Sequence, residues 1–169
     1  MKYKKTFFHC GNQLLNTLST EIKEIEMIIE KVKWANSFKH NQKNEITYEH
    51  QTAYNKAFDA QFINCGWESQ PLLRVEPRLI GDFRKGLVFV EIQFGNSSTL
   101  YRDYYKFQYG LINGLLSLSV LIVPTKPSDF FPTRPKSVLN MAEYDLAYSY
   151  LTVLPINVPV LLIGLLPEN

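Results

Sequence analysis

Between Asn12 and Lys33 the apolar residues Leu15, Leu18, Ile22, Ile25, Ile29 and Val32 recur at alternating intervals of three and four. Glu21, Lys23, Glu24, Glu26, Lys31 and Lys33 fill the opposite face. This is the period of an amphipathic helix. Such a stripe covers a sheet or core within one chain, and the same spacing also makes the seam of a short coiled-coil dimer. Ser37 to Asn44 is polar and reads as a loop. A second helix is predicted from about Asn44 to Asn64, with Ile46, His50, Ala53, Tyr54, Ala57, Phe58 and Phe62 on one face. Gly66 supplies a left-handed stop after it.

The period then drops to two. Trp67 to Val75 and Arg78 to Phe83 read as short strands, and Gly86 to Phe94 (GLVFVEIQF) as a stronger one, rich in β-branched and aromatic residues. A helix follows over about Ser98 to Asn113. Leu116 to Val123 (LSLSVLIV) reads as a central strand buried on both faces. Pro124 to Ser137 (PTKPSDFFPTRPKS) holds four prolines and three basic residues, which predicts a surface loop, neither helix nor inner strand. A helix from about Val138 to Leu151 and a strand from about Val158 to Ile163 close the chain. The order α-α-β-β-β-α-β-α-β predicts an α/β fold, a mixed central β-sheet flanked by helices.

Composition narrows the class. With 169 residues, 46% hydrophobic and 14% aromatic, the chain is of a size and apolar content for one globular domain, and disorder is excluded. The 8 Gly and 9 Pro lack any period, which excludes a collagen-like chain. A formal charge of +2 neither announces nor excludes a nucleic-acid partner, because clustering of basic residues decides that. Cys10 and Cys65 lie far apart and form no metal-ligand spacing, so a reducing cytosol is expected. MKYKKTFFHCGNQLLN lacks the apolar run of a signal peptide, and Leu111 to Val123 is too short to span a bilayer. A cytoplasmic protein with no membrane partner is the expectation.

Candidate chemistry concentrates in GDFRKGLVFVEIQFGN, residues 81–96. Asp82 ends one predicted strand, and Arg84-Lys85-Gly86 turns into the next. There Glu91 and Gln93 project from one face, while Val90, Ile92 and Phe94 project from the other. A hairpin brings Asp82 close to Glu91. Two carboxylates and the Ile92 carbonyl suit a hard divalent ion that keeps several waters, Mg²⁺ above all. Such an ion polarises a phosphate oxygen and activates a bound water, which is the chemistry of phosphodiester hydrolysis. Gln93 is placed to orient that water. Alternating polar residues are also ordinary on a half-buried strand, so spacing alone leaves both readings open.

Asp82, eight residues, then Glu91-Ile92-Gln93 resembles the D-x8-E-x-Q active site of the BglII and BstYI restriction endonucleases. In this branch of the PD-(D/E)xK nucleases Gln replaces the usual Lys. VEIQFGN, the helix TLYRDYYKFQYGL and the strand LSLSVLIVPT resemble that family's sheet-helix-sheet core, and HQTAYNKAFDAQFINCGWE resembles its second helix. The resemblance implies a restriction-endonuclease-like core with Asp82, Glu91 and the Ile92 carbonyl as Mg²⁺ ligands, and Gln93 in the place of the catalytic lysine. It implies a single nuclease domain over residues 1–169, with 1–43 an N-terminal helix and loop and 44–169 the catalytic core. It further implies a Type II homodimer that cuts both strands of a short palindromic duplex DNA with a GATC centre. Asp82 follows Gly81 rather than proline. The chain is also shorter than typical relatives, which leaves sequence preference and tight DNA enclosure open.

Asn96, Ser97 and Ser98 are candidates for base or phosphate contacts, and equally for capping the helix that follows. Lys126, Arg134 and Lys136 in the proline-rich stretch suit phosphates or guanine, with a solvated loop as the plain alternative. Arg102 and Lys106 lie one turn apart and suit backbone phosphates; the competing reading is an ion pair such as Arg102 with Asp103 or Glu91. Glu45 or Glu49 is a candidate secondary carboxylate. His9, His40 and His50 share no metal spacing. Tyr101, Tyr104, Tyr105, Phe107 and Tyr109 suit core and interface better than base stacking. Two other readings remain at this stage: a nicking, repair or junction-resolving nuclease, and a catalytically silent DNA-binding domain.

Overall fold

The computed structural model describes residues 1–33, 39–41, 47–49, 51–132, 134 and 138–167. In chain order the elements are β1 (Lys2–Phe8), a single 3₁₀ turn (Gly11–Leu14), α1 (Ser19–Lys31), β2 (Lys39–Asn41), β3 (Thr47–Glu49) and α2 (Gln51–Asn64). Four short strands follow: β4 (Glu68–Ser69), β5 (Leu72–Arg74), β6 (Leu79–Ile80) and β7 (Phe83–Lys85). The chain continues through β8 (Val88–Ile92), α3 (Thr99–Ile112), β9 (Leu118–Pro124), α4 (Pro127–Phe130), α5 (Tyr144–Val153) and β10 (Val160–Leu166).

The nearly continuous apolar run LSVLIVP becomes β9, buried along its whole length at the centre of a six-stranded sheet. The order is β1-β10-β9-β8-β7-β4. β8, β9 and β10 run parallel, and β1, β7 and β4 join antiparallel. Both faces are covered, as parallel strands require. On one, Ile22, Ile25, Ile28 and Ile29 of α1 and Tyr54, Phe58 and Phe62 of α2 share a core with Val88, Val90 and Ile92 of β8. On the other, Leu100, Tyr104 and Phe107 of α3 and Ala147 and Leu151 of α5 share a core with Phe89 of β8 and Leu121 of β9. Because successive strand residues face opposite ways, Glu91 points with Phe89 toward the α3 side.

The structure amends several sequence expectations. The isoleucine stripe of α1 is buried within its own chain, so it is core rather than a dimer seam. Helix α2 begins at Gln51, and residues 47–49 are strand, not helix; Ile46 and His50 lie outside the described residues. Trp67 to Val75 divides at Pro71 into β4 and β5, and Arg78 to Phe83 divides at Gly81-Asp82 into β6 and β7. The last helix begins at Tyr144 rather than 138. Strand β1 went unread because lysines break its alternation.

The proline-rich stretch is not wholly loop. Pro127 opens a one-turn helix, the position where its missing N–H is harmless. Phe130 and Phe131 are fully buried beneath it. Their rings meet Tyr54 edge-on with centroids at 5.8 and 5.6 Å, and Tyr54 in turn stacks on Phe94 at 5.1 Å. Among the described residues no helix is long and apolar enough to cross a membrane.

Candidate active site

Gly81 and Asp82 form the bend between β6 and β7. The Gln70 N–H donates to the Asp82 carbonyl at 2.8 Å and the Gly81 N–H to the Pro71 carbonyl at 3.0 Å, so backbone bonds fix the bend. Only glycine fits at position 81, since a Cβ there would lie 2.1 Å from Phe89 Cζ. The side chain of Asp82 reaches β8, where Oδ2 accepts the Ile92 N–H at 2.7 Å. An extended strand points the N–H and C=O of one residue to the same edge. The Ile92 carbonyl therefore lies on the Asp82 side.

Glu91 is 3% exposed, and its Oε1 accepts a bond from Lys106 Nζ at 2.7 Å. Lys106, 6% exposed, also contacts Asp103 Oδ1 at 2.9 Å, one turn back on α3. Gln93 Nε2 donates to Asp103 Oδ2 at 3.0 Å, and the Gly95 N–H donates to Gln93 Oε1 at 2.8 Å. A chain of polar contacts thus runs from Glu91 through Lys106 and Asp103 to Gln93. Burial, then the charges of Asp82 and Asp103, push the Glu91 carboxyl well above the usual range despite Lys106. Asp82 is raised as well, mainly by burial, with the Ile92 N–H and Lys106 opposing. Burial works against the Lys106 charge, but Glu91 and Asp103 outweigh it and hold the ammonium above its ordinary value. One buried cation therefore serves three carboxylates.

These groups line a cleft of 400 Å³ together with Asn55, Gln70, Thr99 and Arg102. A 270 Å³ hollow adjoins it, sharing Asn55, Gln70 and Asp82 and adding Lys56, Asp59 and Ser69. Among the described residues no three His, Cys, Asp or Glu side chains gather as a metal-holding group. The oxygens able to hold a cation are Asp82 Oδ1 and Glu91 Oε2, which make no hydrogen bond among the described residues, and the Ile92 carbonyl. Two carboxylates and a carbonyl, with positions left for water, are a donor set that fits a hard divalent ion.

The remaining candidates are scattered around this centre. Lys106, a candidate for phosphates, is buried and ion-paired with Glu91 and Asp103, whereas the ion-pair alternative named Arg102. Arg102 is exposed at the cleft rim and forms no ion pair among the described residues. Asn96 Oδ1 accepts the Ser98 N–H at 2.9 Å and closes the entry to α3, whereas Ser98 makes no side-chain cap. The Ser97 N–H donates to the Asn140 carbonyl at 2.7 Å. Lys126 is exposed and pairs with Asp129 at 3.0 Å beside α4. Arg134 follows α4, while Lys136 and Glu45 lie outside the described residues. Sequence reasoning missed Gln70, Asn55 and, above all, Asp103. Its signal was present: Asp103 interrupts the apolar stripe Leu100, Tyr104, Phe107 of α3.

Solved structures share this architecture. BglII endonuclease complexed with a DNA 16-mer matches with a TM-score of 0.79 at 19% identity, covering 99% of this chain and 78% of that one. Free BglII matches with a TM-score of 0.69 at 21% identity, covering 99% and 81%. At such identities the likeness defines the class of fold, that of a restriction endonuclease. A search of curated proteins finds no match. The family model of restriction endonuclease BglII/BglIII matches residues 3–165. The chain belongs to the BglII/BglIII restriction endonuclease family, and so to the Type II site-specific endonucleases.

Proposed function

We propose that the protein hydrolyses both strands of duplex DNA at a short palindromic, GATC-centred site, as a cytoplasmic, Mg²⁺-dependent homodimer. Residues 1–169 act as one nuclease domain. The observation that carries this reading is the link from Asp82 to the Ile92 N–H, which joins the two carboxylate-bearing elements at one cleft. That a relative of the same fold is described in complex with DNA supports duplex DNA as the substrate. A palindrome presents one half-site twice, which suits a two-fold dimer.

Asp82, Glu91 and the Ile92 carbonyl hold the ion, and Gln93 completes the active-site set. When bound, the ion polarises a phosphate oxygen and lowers the pKa of a water. Burial and mutual repulsion of Asp82 and Glu91 favour uptake of a cation between them. Water adds to phosphorus and the P–O3′ bond breaks. One water proton is released and the 3′ oxygen takes up another, leaving a 5′-phosphate and a 3′-hydroxyl. Arg102, Asn96, Ser97, Ser98, Lys126, Arg134 and Lys136 contact the DNA around the cut.

The test is incubation of the protein with unmethylated plasmid, with and without Mg²⁺, beside Asp82→Asn. Discrete fragments are expected from the parent with Mg²⁺ alone, and Asp82→Asn is expected to slow cleavage about 100-fold or more, since even outer-shell groups of metal sites are worth 10- to 100-fold. A smear or single nicks would favour a nicking or repair nuclease. DNA binding without cleavage in any divalent ion would mark a silent binding domain.

A further inference from the structure

The polar groups of the cleft are unevenly engaged. Gln93 has its oxygen on the Gly95 N–H and its amide nitrogen on Asp103. Lys106 has three ammonium protons, of which Glu91 and Asp103 take two. Among the described residues the third has no partner, although Lys106 lines the same cleft as Asp82, Glu91 and Gln93. Sealing α3 onto the sheet does not require a charge here: a buried ion pair adds little stability over apolar residues of similar volume. The arrangement does fix an ammonium rigidly. Asp103 grips it one turn away on the same helix and is itself braced by Gln93, while Glu91 holds it to β8.

We propose that Lys106 is the catalytic cation of this site, its free donor facing the phosphate under attack, with Gln93 a positioning residue that acts through Asp103. This rests on reading the cleft as the site of phosphodiester hydrolysis. Negative charge builds on the phosphoryl oxygens as water adds, and a buried, preorganised cation stabilises that charge more than a solvated one. An amide at position 93 supplies no such charge. Helix α3 supplies it instead.

A plain counter-charge would also explain a buried lysine, so the test separates the two. In Lys106→Met/Asp103→Asn one cation and one anion are removed together. Melting temperature, Mg²⁺ binding by calorimetry without DNA, and single-turnover cleavage are then compared with the parent. The proposal expects melting and Mg²⁺ binding close to the parent, with cleavage slower by about 10²- to 10³-fold. Cleavage within tenfold of the parent would reduce Lys106 to a counter-charge and overturn it. If the double variant does not melt cooperatively, Lys106→Gln, whose amide still donates to Glu91, replaces it under the same criterion. Gln93→Ala is expected to lower kcat with KM unchanged and to add nothing to Lys106→Gln, as groups acting through one another are non-additive. Full additivity would remove Gln93 from the proposal. A parent that binds DNA but never cleaves would sink the reading of the cleft itself, and Lys106 with it.

Discussion

Gly81 shows how tightly one residue conditions the site. A Cβ there would overlap Phe89, which is fully buried and meets Phe107 edge-on with centroids at 6.1 Å. Gly81→Ala is expected to destabilise the fold by about 1–3 kcal/mol, as overpacked cores do, and thermal melting reads the loss. The carboxylates make a second prediction, on pH. Asp82 and Glu91 are both raised above their ordinary values. Their contribution to stability is therefore present below the ordinary carboxylate range, about pH 4, and is lost as pH rises through the raised values. A divalent ion needs both groups deprotonated. Mg²⁺ should thus raise the melting temperature more at pH values above both raised carboxyls than at about pH 4, where both hold their protons; an equal or reversed shift would exclude these two as ligands. Strand alternation placed Glu91 and Gln93 on one face, and the resemblance of D-x8-E-x-Q, not the spacing alone, singled them out together with Asp82. Neither revealed that Lys106 rather than Arg102 enters the core. The two lie four residues apart on nearly the same helix face, and only the seating of α3 on β8 separates them.

At the scale of elements, the pairing of α4 with α2 is the least obvious contact. Phe130 and Phe131, set between prolines, anchor residues 127–131 onto Tyr54 and Phe94. Phe130→Ala is expected to cost about 3–5 kcal/mol, far more than any substitution in a solvated loop, and denaturant unfolding measures it. Periodicity cannot register a one-turn element, but two adjacent phenylalanines amid polar residues were a mark of anchorage. Strand β1 escaped for a different reason. It lies at a sheet edge and, among the described residues, pairs only with β10. Its sequence KYKKTFF carries the lysines that protect edges from pairing with other chains, and these mask the alternation. The central strands β8, β9 and β10 were legible for the opposite reason, being apolar but for Glu91 and Ser119.

The molecule as a whole carries a formal charge of only +2, so its attraction to DNA depends on where the cations lie. Lys126 shares only an exposed ion pair, the kind worth little. If Lys126 meets a phosphate, Lys126→Ala should lower the slope of log K against log salt by about 0.9 in a binding titration. An unchanged slope would remove Lys126 from the interface.

The sheet order β1-β10-β9-β8-β7-β4 also carries a timetable. During synthesis the residues of the cleft, 55 to 106, emerge before β9, the central partner of β8, and well before β10 at Val160–Leu166. β1 is made first yet waits for β10, its neighbour in the sheet. Such distant pairings form slowly and late. A ribosome-bound chain thus carries every cleft side chain without the sheet that aligns them. On this plan the six-stranded sheet behind the cleft is complete only once translation has passed Leu166.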